Sequence, residues 1–112
     1  MFAFLTRLKA KPGQREALIA LNLTMQEATA SEAGVPVYIF HTAEDNPDEF
    51  FYYDLYETEE AYNAHCSTAV FAAMLTALGE LAEVTAMTKL KPFGPIKSEP
   101  VTSAPPILRD QL

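Results

Sequence analysis

The chain has 112 residues, of which 49% are hydrophobic and 21% are charged, and its formal net charge is −7. This length fits one domain, and the acidic balance disfavours nucleic acid or anionic lipid as a partner, because both need a basic surface. We expect a cytoplasmic protein for three reasons. The chain has a single cysteine, which fits a reducing compartment. Its apolar runs are shorter than the ~18 residues of a membrane span, and its N-terminus does not resemble a signal peptide.

Hydrophobic periodicity predicts strands and helices in alternation. Between the first two strands, apolar residues recur at steps of three and four from Gln14 to Gly34, which indicates an amphipathic helix. A second helical region follows Thr58, whose hydroxyl suits an N-cap and precedes two glutamates. Ser67 and Thr68 predict a break within that region. The predicted strands cover residues 2–8, 35–42, 49–57 and 82–90.

The composition changes after residue 91. Residues 92–112 are rich in proline, so we expect no regular structure there. We therefore predict a domain of residues 1–91 and a Pro-rich C-terminal tail of residues 92–112, which packs on the fold or on a partner subunit because it keeps several apolar side chains. These are Phe93, Ile96, Val101, Ile107 and Leu108.

The predicted element order is βαββαβ. This is the ferredoxin-like arrangement of the α+β class, a four-stranded antiparallel sheet with helices on one face. The strands are aromatic on both sides, so the second sheet face is poorly suited to water. We expect two sheets to meet in a homodimer.

Three stretches of the chain resemble the conserved parts of one known family. A-G-V-P-V-Y-I-F-H-T is similar to the second strand of that family, with Tyr38 at its usual tyrosine. N-P-D-E-F-F-Y-Y-D-L-Y-E is similar to its third strand, with Asp54 where glutamate is common and Tyr56 where tryptophan is common. E-A-Y-N-A-H-C-S-T-A-V-F resembles its helix signature, in which a histidine is followed by a short break and a phenylalanine. The family that these stretches resemble is the antibiotic biosynthesis monooxygenase (ABM) family.

The resemblance spans about residues 2–91 and implies a dimeric α/β barrel with a ligand cavity between each sheet and its helices. Many family members oxygenate quinols or polycyclic phenols without metal, flavin or haem, which implies no cofactor and molecular oxygen as co-substrate. Others isomerise small molecules, degrade haem or have no known activity, so membership indicates fold better than reaction. The haem-degrading branch uses an asparagine on the first strand, a tryptophan on the second helix and a histidine further along it. The matching positions of this chain hold Thr6 or Arg7, His65 and Leu75, so haem degradation is disfavoured.

Cofactor-free oxygenation needs a base, donors for a phenolate and a dry cavity. His65 is the candidate proton handler, since histidine gains and loses a proton near neutral pH, and we expect it to face a cavity beside Ala61 and Ala69. Asp54 would orient the histidine or accept a proton. The candidate substrate-binding residues carry rings that stack on an aromatic substrate or hydroxyls that hydrogen-bond it. They are Tyr38, Tyr53, Tyr56, Tyr62 and Phe71.

Structural interpretations of the same residues stay open. The His65 ring could cap backbone carbonyls near Ser67, the tyrosines could serve sheet packing, and Asp54 could pair with Arg7 or a lysine. Cys66 beside His65 suggests a nucleophilic pair, but adjacent helix residues point about 100° apart. The sequence has no H-x-x-x-H, C-x-x-C, G-x-G-x-x-G or P-loop pattern, so we expect neither a metal nor a nucleotide cofactor.

The leading hypothesis is a cofactor-independent monooxygenase acting on a small phenolic, quinol or polycyclic aromatic compound. A proton-shuttling isomerase of a small metabolite would use the same base without oxygen. A non-catalytic dimeric ligand-binding or stress protein would use the fold alone. In each case the expected partners are a second copy of the chain and a small molecule, with no nucleic acid and no membrane.

Overall fold

The computed structural model describes residues 1–94, 96 and 97. The predicted βαββαβ order is confirmed, with the second helical region divided in two. Positions 95 and 98–112 lie outside the described residues. The prediction that a tail of residues 92–112 packs on the fold or on a partner subunit concerns mainly these positions, so it stays a prediction. The elements are β1 (Phe2–Ala10), α1 (Arg15–Thr29), β2 (Val37–Ala43), β3 (Asn46–Tyr56), α2 (Glu59–Cys66), α3 (Ala69–Leu81) and β4 (Ala82–Leu90).

The four strands form one antiparallel sheet in the order β2-β3-β1-β4. In the register of the sheet, Asp54 of β3 lies between Phe4 of β1 and Tyr38 of β2. Since alternate strand residues share a face, Tyr52 and Tyr56 lie on the same face as Asp54. This face carries the helices, so the register places a carboxylate among rings beneath them.

The third strand begins earlier than the sequence indicated. The predicted strands leave residues 43–48 between them, but Ala43 pairs with Asn46, which leaves only two residues in the hairpin loop. The ladder then shifts before Thr42 pairs with Phe50. Pro47 fits in this irregular part because it has no N–H to contribute to a ladder.

Helix α1 covers the sheet with a stripe that includes polar residues. The helix is amphipathic as predicted, with Leu18 and Met25 buried, and Asn22 and Thr29 complete the buried side. Asn22 is tolerated because its Oδ1 accepts a hydrogen bond from the hydroxyl of Tyr52. The hydroxyl of Thr29 donates to the carbonyl of Met25 at 2.8 Å. Both polar groups therefore enter the core with a partner.

Threonine caps begin both α2 and α3, and the cap at Thr58 is the one that the sequence indicated. Thr58 accepts a hydrogen bond from the N–H of Ala61 at 3.1 Å, and Thr68 accepts one from the N–H of Phe71 at 3.1 Å. The Thr68 hydroxyl also donates to the carbonyl of His65 at 3.0 Å, which ties the end of α2 to the start of α3. The predicted break is confirmed, and the helices are bent by 68° there.

No single helix in the described part of the chain is long and apolar enough to cross a membrane. Helices α2 and α3 reach that length and composition only when they are counted together across their bend.

The sheet face opposite the helices is apolar along its middle. Tyr53 pairs with Leu5 on one side and with Ile39 on the other, so these three side chains form a row across the sheet. Leu5 and Ile39 are exposed in the single chain. We name this row of three residues the outer row.

Candidate functional site

His65 is buried in the last turn of α2, with 2% of its surface exposed. Its Nδ1 lies 2.7 Å from Oε1 of Glu32, which follows α1 in the chain. The interpretation in which the ring caps backbone carbonyls is therefore wrong for Nδ1. The imidazole has a carboxylate partner, and a carboxylate accepts, so Nδ1 carries the proton in this contact.

Gly34 explains how Glu32 comes to lie beside α2. The backbone of Gly34 has φ +78°, and its carbonyl accepts a hydrogen bond from the N–H of Glu57 at 2.9 Å. A Cβ added at this position would lie 2.7 Å from the Cβ of Ala61. Only glycine allows both this conformation and this approach, and the loop that holds Glu32 is thereby pressed against the helix that carries His65.

Three rings enclose the imidazole instead of the expected open cavity. The ring centroids of Tyr38, Phe71 and Tyr56 lie 5.1, 5.1 and 5.7 Å from that of His65. Ala69, expected to leave room beside the histidine, is exposed. Three cavities in the described part of the chain lie elsewhere, and none of these four side chains lines them. In the single chain, His65 is packed among rings.

The second nitrogen of His65, Nε2, is the one that can take up a proton. In the described part of the chain, the hydrogen bond of the His65 ring is made by Nδ1. With Nδ1 protonated, Nε2 carries the lone pair of the ring.

Asp54 and Tyr56 form a second polar pair on the sheet below. The Tyr56 hydroxyl donates to Oδ2 of Asp54 at 2.6 Å. Burial raises the pKa of Asp54, while the bond from Tyr56 and the nearby His65 oppose that rise. The suggested pairing of Asp54 with Arg7 is wrong, because Arg7 pairs with Glu49 at 2.7 Å.

The tyrosines of this region remain neutral hydrogen-bond donors at physiological pH. Burial raises the pKa of Tyr38 and of Tyr56, and the Asp54 carboxylate raises both further. Burial also raises the pKa of Tyr62 to about 12. The pKa of the Cys66 thiol is raised by burial and lowered by a hydrogen bond with Tyr62, with burial the larger effect, which disfavours a nucleophilic thiolate.

The structure brings most of the predicted site residues together and separates one. The ring of Tyr62 packs on that of Tyr56 at 5.0 Å, so it joins the residues around His65. Tyr53 lies on the opposite face in the outer row and does not contact them. The residues that share the helix-covered face, named here the histidine cluster, are Glu32, Tyr38, Asp54, Tyr56, Tyr62, His65 and Phe71.

Glu32 is the member of the cluster that the sequence did not reveal. It lies outside the helices and strands and is 33 residues from His65, so no spacing rule connects the two. Tyr53 is a different case, because strict alternation along β3 from Tyr52 and Asp54 already assigns it to the other face. The hydrogen-bond partner of His65 could be identified only from the tertiary structure.

The cluster combines a proton acceptor with neutral donors. A proton taken up at Nε2 would create an imidazolium whose charge the Glu32 carboxylate stabilises through Nδ1. The rings of Tyr38 and Tyr56 pack on the imidazole, and the burial of His65 limits the access of water to it. No three His, Cys, Asp or Glu residues in the described ranges lie close enough to hold a metal ion.

The comparison with known families rests on a long match. The model of the family described as antibiotic biosynthesis monooxygenase matches residues 1–77. The chain belongs to this family. It is also 31% identical over 64 residues to an uncharacterized protein of Synechocystis sp., a match that covers 57% of this chain and 44% of that relative. The matched part thus spans less than half of the relative's length.

Solved structures share the fold of this ABM-family chain. A protein from Mycobacterium tuberculosis is 26% identical, with a TM-score of 0.75 over 86% of this chain and 98% of that one. A protein from Deinococcus radiodurans is 18% identical, with a TM-score of 0.76 over 89% of this chain and 100% of that one. A protein of unknown function from Bacteroides thetaiotaomicron is 22% identical, with a TM-score of 0.74 over 80% and 94%. The ferredoxin-like fold is therefore the fold of its relatives.

Proposed function

We propose that this protein is a cofactor-independent monooxygenase of a small phenolic or quinol compound. The observation that carries the proposal is the buried His65–Glu32 pair at 2.7 Å, with Nε2 of His65 left to take a proton, in a chain of the ABM family. Two of the solved relatives support the reaction class. The Deinococcus radiodurans protein has been proposed to be an antibiotic biosynthesis monooxygenase, and the Bacteroides thetaiotaomicron protein an oxidoreductase.

The first step is removal of a phenolic proton by Nε2 of His65. The Glu32 carboxylate stabilises the imidazolium that results, and the hydroxyl of Tyr38 donates to the phenolate oxygen. An electron-rich phenolate gives one electron to dioxygen, and the phenoxyl radical and superoxide combine in a carbon–oxygen bond. The imidazolium returns its proton to the peroxide, and the O–O bond then breaks with loss of water, which leaves a second carbonyl on the quinone product. Asp54 keeps Tyr56 oriented through the 2.6 Å hydrogen bond.

Substrate access requires movement of a ring. His65 has little exposed surface, whereas Tyr62 and Phe71 of the histidine cluster are only half-buried. Rotation of one of these two side chains would admit an aromatic substrate to Nε2 and would replace one ring contact by another. This movement is part of the proposal.

A second copy of the chain covers the outer row in the proposed assembly. Leu5 and Ile39 are exposed beside Tyr53 on the sheet face opposite α1, α2 and α3. Burying this row against its counterpart would remove apolar surface from water at about 25 cal/mol per Å². The proposed enzyme is a homodimer with one histidine cluster in each subunit.

The close packing of His65 favours one other function. A histidine with three ring neighbours and a carboxylate partner also fits a structural role in a non-catalytic ligand-binding protein. In that case the fold would bind a small aromatic molecule without changing it.

Oxygen consumption with a panel of quinols and polycyclic phenols distinguishes these functions. The proposed monooxygenase consumes oxygen at a rate proportional to protein concentration, with incorporation of ¹⁸O from labelled dioxygen into the product. Unchanged compound after binding identifies a non-catalytic protein. Conversion that continues without oxygen identifies the proton-shuttling isomerase.

A further inference from the structure

A groove between α1 and β2 lies apart from the histidine cluster. Its volume is about 210 Å³, and it shares no lining residue with the cluster. Its walls are apolar, with Ile19 and Leu23 of α1 on one side and the rings of Phe40 and Phe50 on the other. This volume lies below the roughly 300–1,000 Å³ of pockets for drug-sized ligands, so its occupant is small.

Two side-chain amides one helical turn apart line the same groove. Oδ1 of Asn22 accepts the hydrogen bond of the Tyr52 hydroxyl, and Oε1 of Gln26 accepts one from the N–H of Phe40 at 2.8 Å. Both amides therefore have a fixed orientation, with the oxygen engaged by the protein. Each leaves its NH₂ group, which can only donate, for another partner.

Asn22 lines the groove although only 6% of its surface is exposed. Its amide oxygen makes its hydrogen bond within the described residues, with the hydroxyl of Tyr52. The NH₂ group is therefore the part of this side chain that is left for a ligand in the groove. A buried amide that offers a donor to an apolar groove matches a ligand that brings an acceptor.

The charges around the groove favour a neutral ligand. No lysine or arginine lines it, and the chain has a formal net charge of −7. An unpaired carboxylate would lose its hydration without gaining a cation, which is costly in an apolar site. A carbonyl oxygen accepts from two NH₂ groups at no such cost. His41 lines the rim, and its Nδ1 is engaged by the carbonyl of Phe51 at 3.0 Å.

We propose that the groove between α1 and β2 binds a small neutral carbonyl compound, with its apolar body between Leu23 and Phe40 and its oxygen on the amides of Asn22 and Gln26. This site is independent of the function proposed for His65. It requires no residue of the histidine cluster.

Acetophenone and α-methylstyrene are matched probes, because they have nearly the same size and differ in that a CH₂ group replaces the carbonyl oxygen. In ¹⁵N-resolved NMR titrations, acetophenone is expected to shift the side-chain NH₂ signals of Asn22 and Gln26 and the backbone signals of Leu23 and Phe40. α-Methylstyrene should leave both NH₂ signals in place. Equal NH₂ shifts with both probes, or shifts confined to the histidine cluster, would overturn the proposal.

Gln26→Glu supplies the matching variant. It keeps an oxygen for the N–H of Phe40 and replaces the donor by a second acceptor, so affinity for acetophenone should fall by about 5- to 30-fold. Thr24→Ala on the same helix is the control, since Thr24 donates to the carbonyl of Ala20 and does not line the groove. An unchanged dissociation constant in a folded Gln26→Glu protein contradicts the proposal, and the NH₂ signals of the unmodified protein test it even if the variant does not fold.

Discussion

Nδ1 of His65 lies 2.7 Å from Oε1 of Glu32, and the two residues are 33 positions apart in the chain. The contact joins the end of α2 to the segment between α1 and β2, which holds its shape through Gly34. It gives the buried imidazole one defined partner and leaves the other nitrogen for chemistry. The account of the site therefore depends on this pair and on the loop that forms it.

The loop is tested by Gly34→Ala with Gly13→Ala as its control. Both glycines have positive φ, +78° and +76°, but an added Cβ meets Ala61 only at Gly34 and meets nothing within 4 Å at Gly13. We expect Gly13→Ala to cost about 1–2 kcal/mol from the left-handed backbone alone and Gly34→Ala to cost more. Urea unfolding of both variants measures the difference. Equal losses would show that the approach of Gly34 to Ala61 is unimportant.

Replacing Glu32 in two ways separates the hydrogen bond from the charge. Glu32→Ala leaves the Nδ1 proton of His65 without its acceptor and should lower the free energy of unfolding by about 1–3 kcal/mol. Glu32→Gln keeps an acceptor oxygen, so its stability should stay nearer to that of the unmodified protein, while the charge that stabilises an imidazolium is lost. Thermal unfolding and oxygen uptake measured together check this. If Glu32→Ala is as stable as the unmodified protein, the contact does not hold the site.

The sequence predicted the order of elements because its signals for them are local. Thr58 and Thr68 cap helices through neighbours three residues away, and period-2 alternation marks β1. The polar residue Asn22 on the core side of α1 was missed, because its partner Tyr52 lies in another element. Glu32 was missed for the same reason. A pattern within one element cannot show which group from another element satisfies a buried polar atom.

Asp54 should make stability depend on pH. Its folded-state pKa is raised by burial, so its contribution is fully present below the ordinary aspartate pKa of about 3.9 and is lost as pH rises through the raised value. Asparagine does not titrate, so the stability of Asp54→Asn relative to the unmodified protein should increase between pH 4 and pH 7. Urea unfolding across that range measures it, with the exposed Asp48→Asn as the control. A constant difference, or one that decreases as pH rises, contradicts the assigned direction.

The outer row should hold the dimer together. Light scattering during size-exclusion chromatography is expected to give about twice the 12.4 kDa mass of one chain. Ile39→Glu places a charge in the row and should shift the protein toward the monomer, whereas Leu75→Glu, on an exposed position of α3, should not. A dimer that is unaffected by Ile39→Glu places the interface elsewhere.

The proton-handling role of His65 is the central claim, and turnover by His65→Gln tests it most directly. Glutamine can keep a hydrogen bond with Glu32 but cannot act as a base near neutral pH. With a quinol that the unmodified protein oxidises, oxygen uptake by the variant should fall by about 10²- to 10⁴-fold, while its melting temperature shows that it stays folded. Full oxygen uptake by a folded His65→Gln protein would contradict the claim.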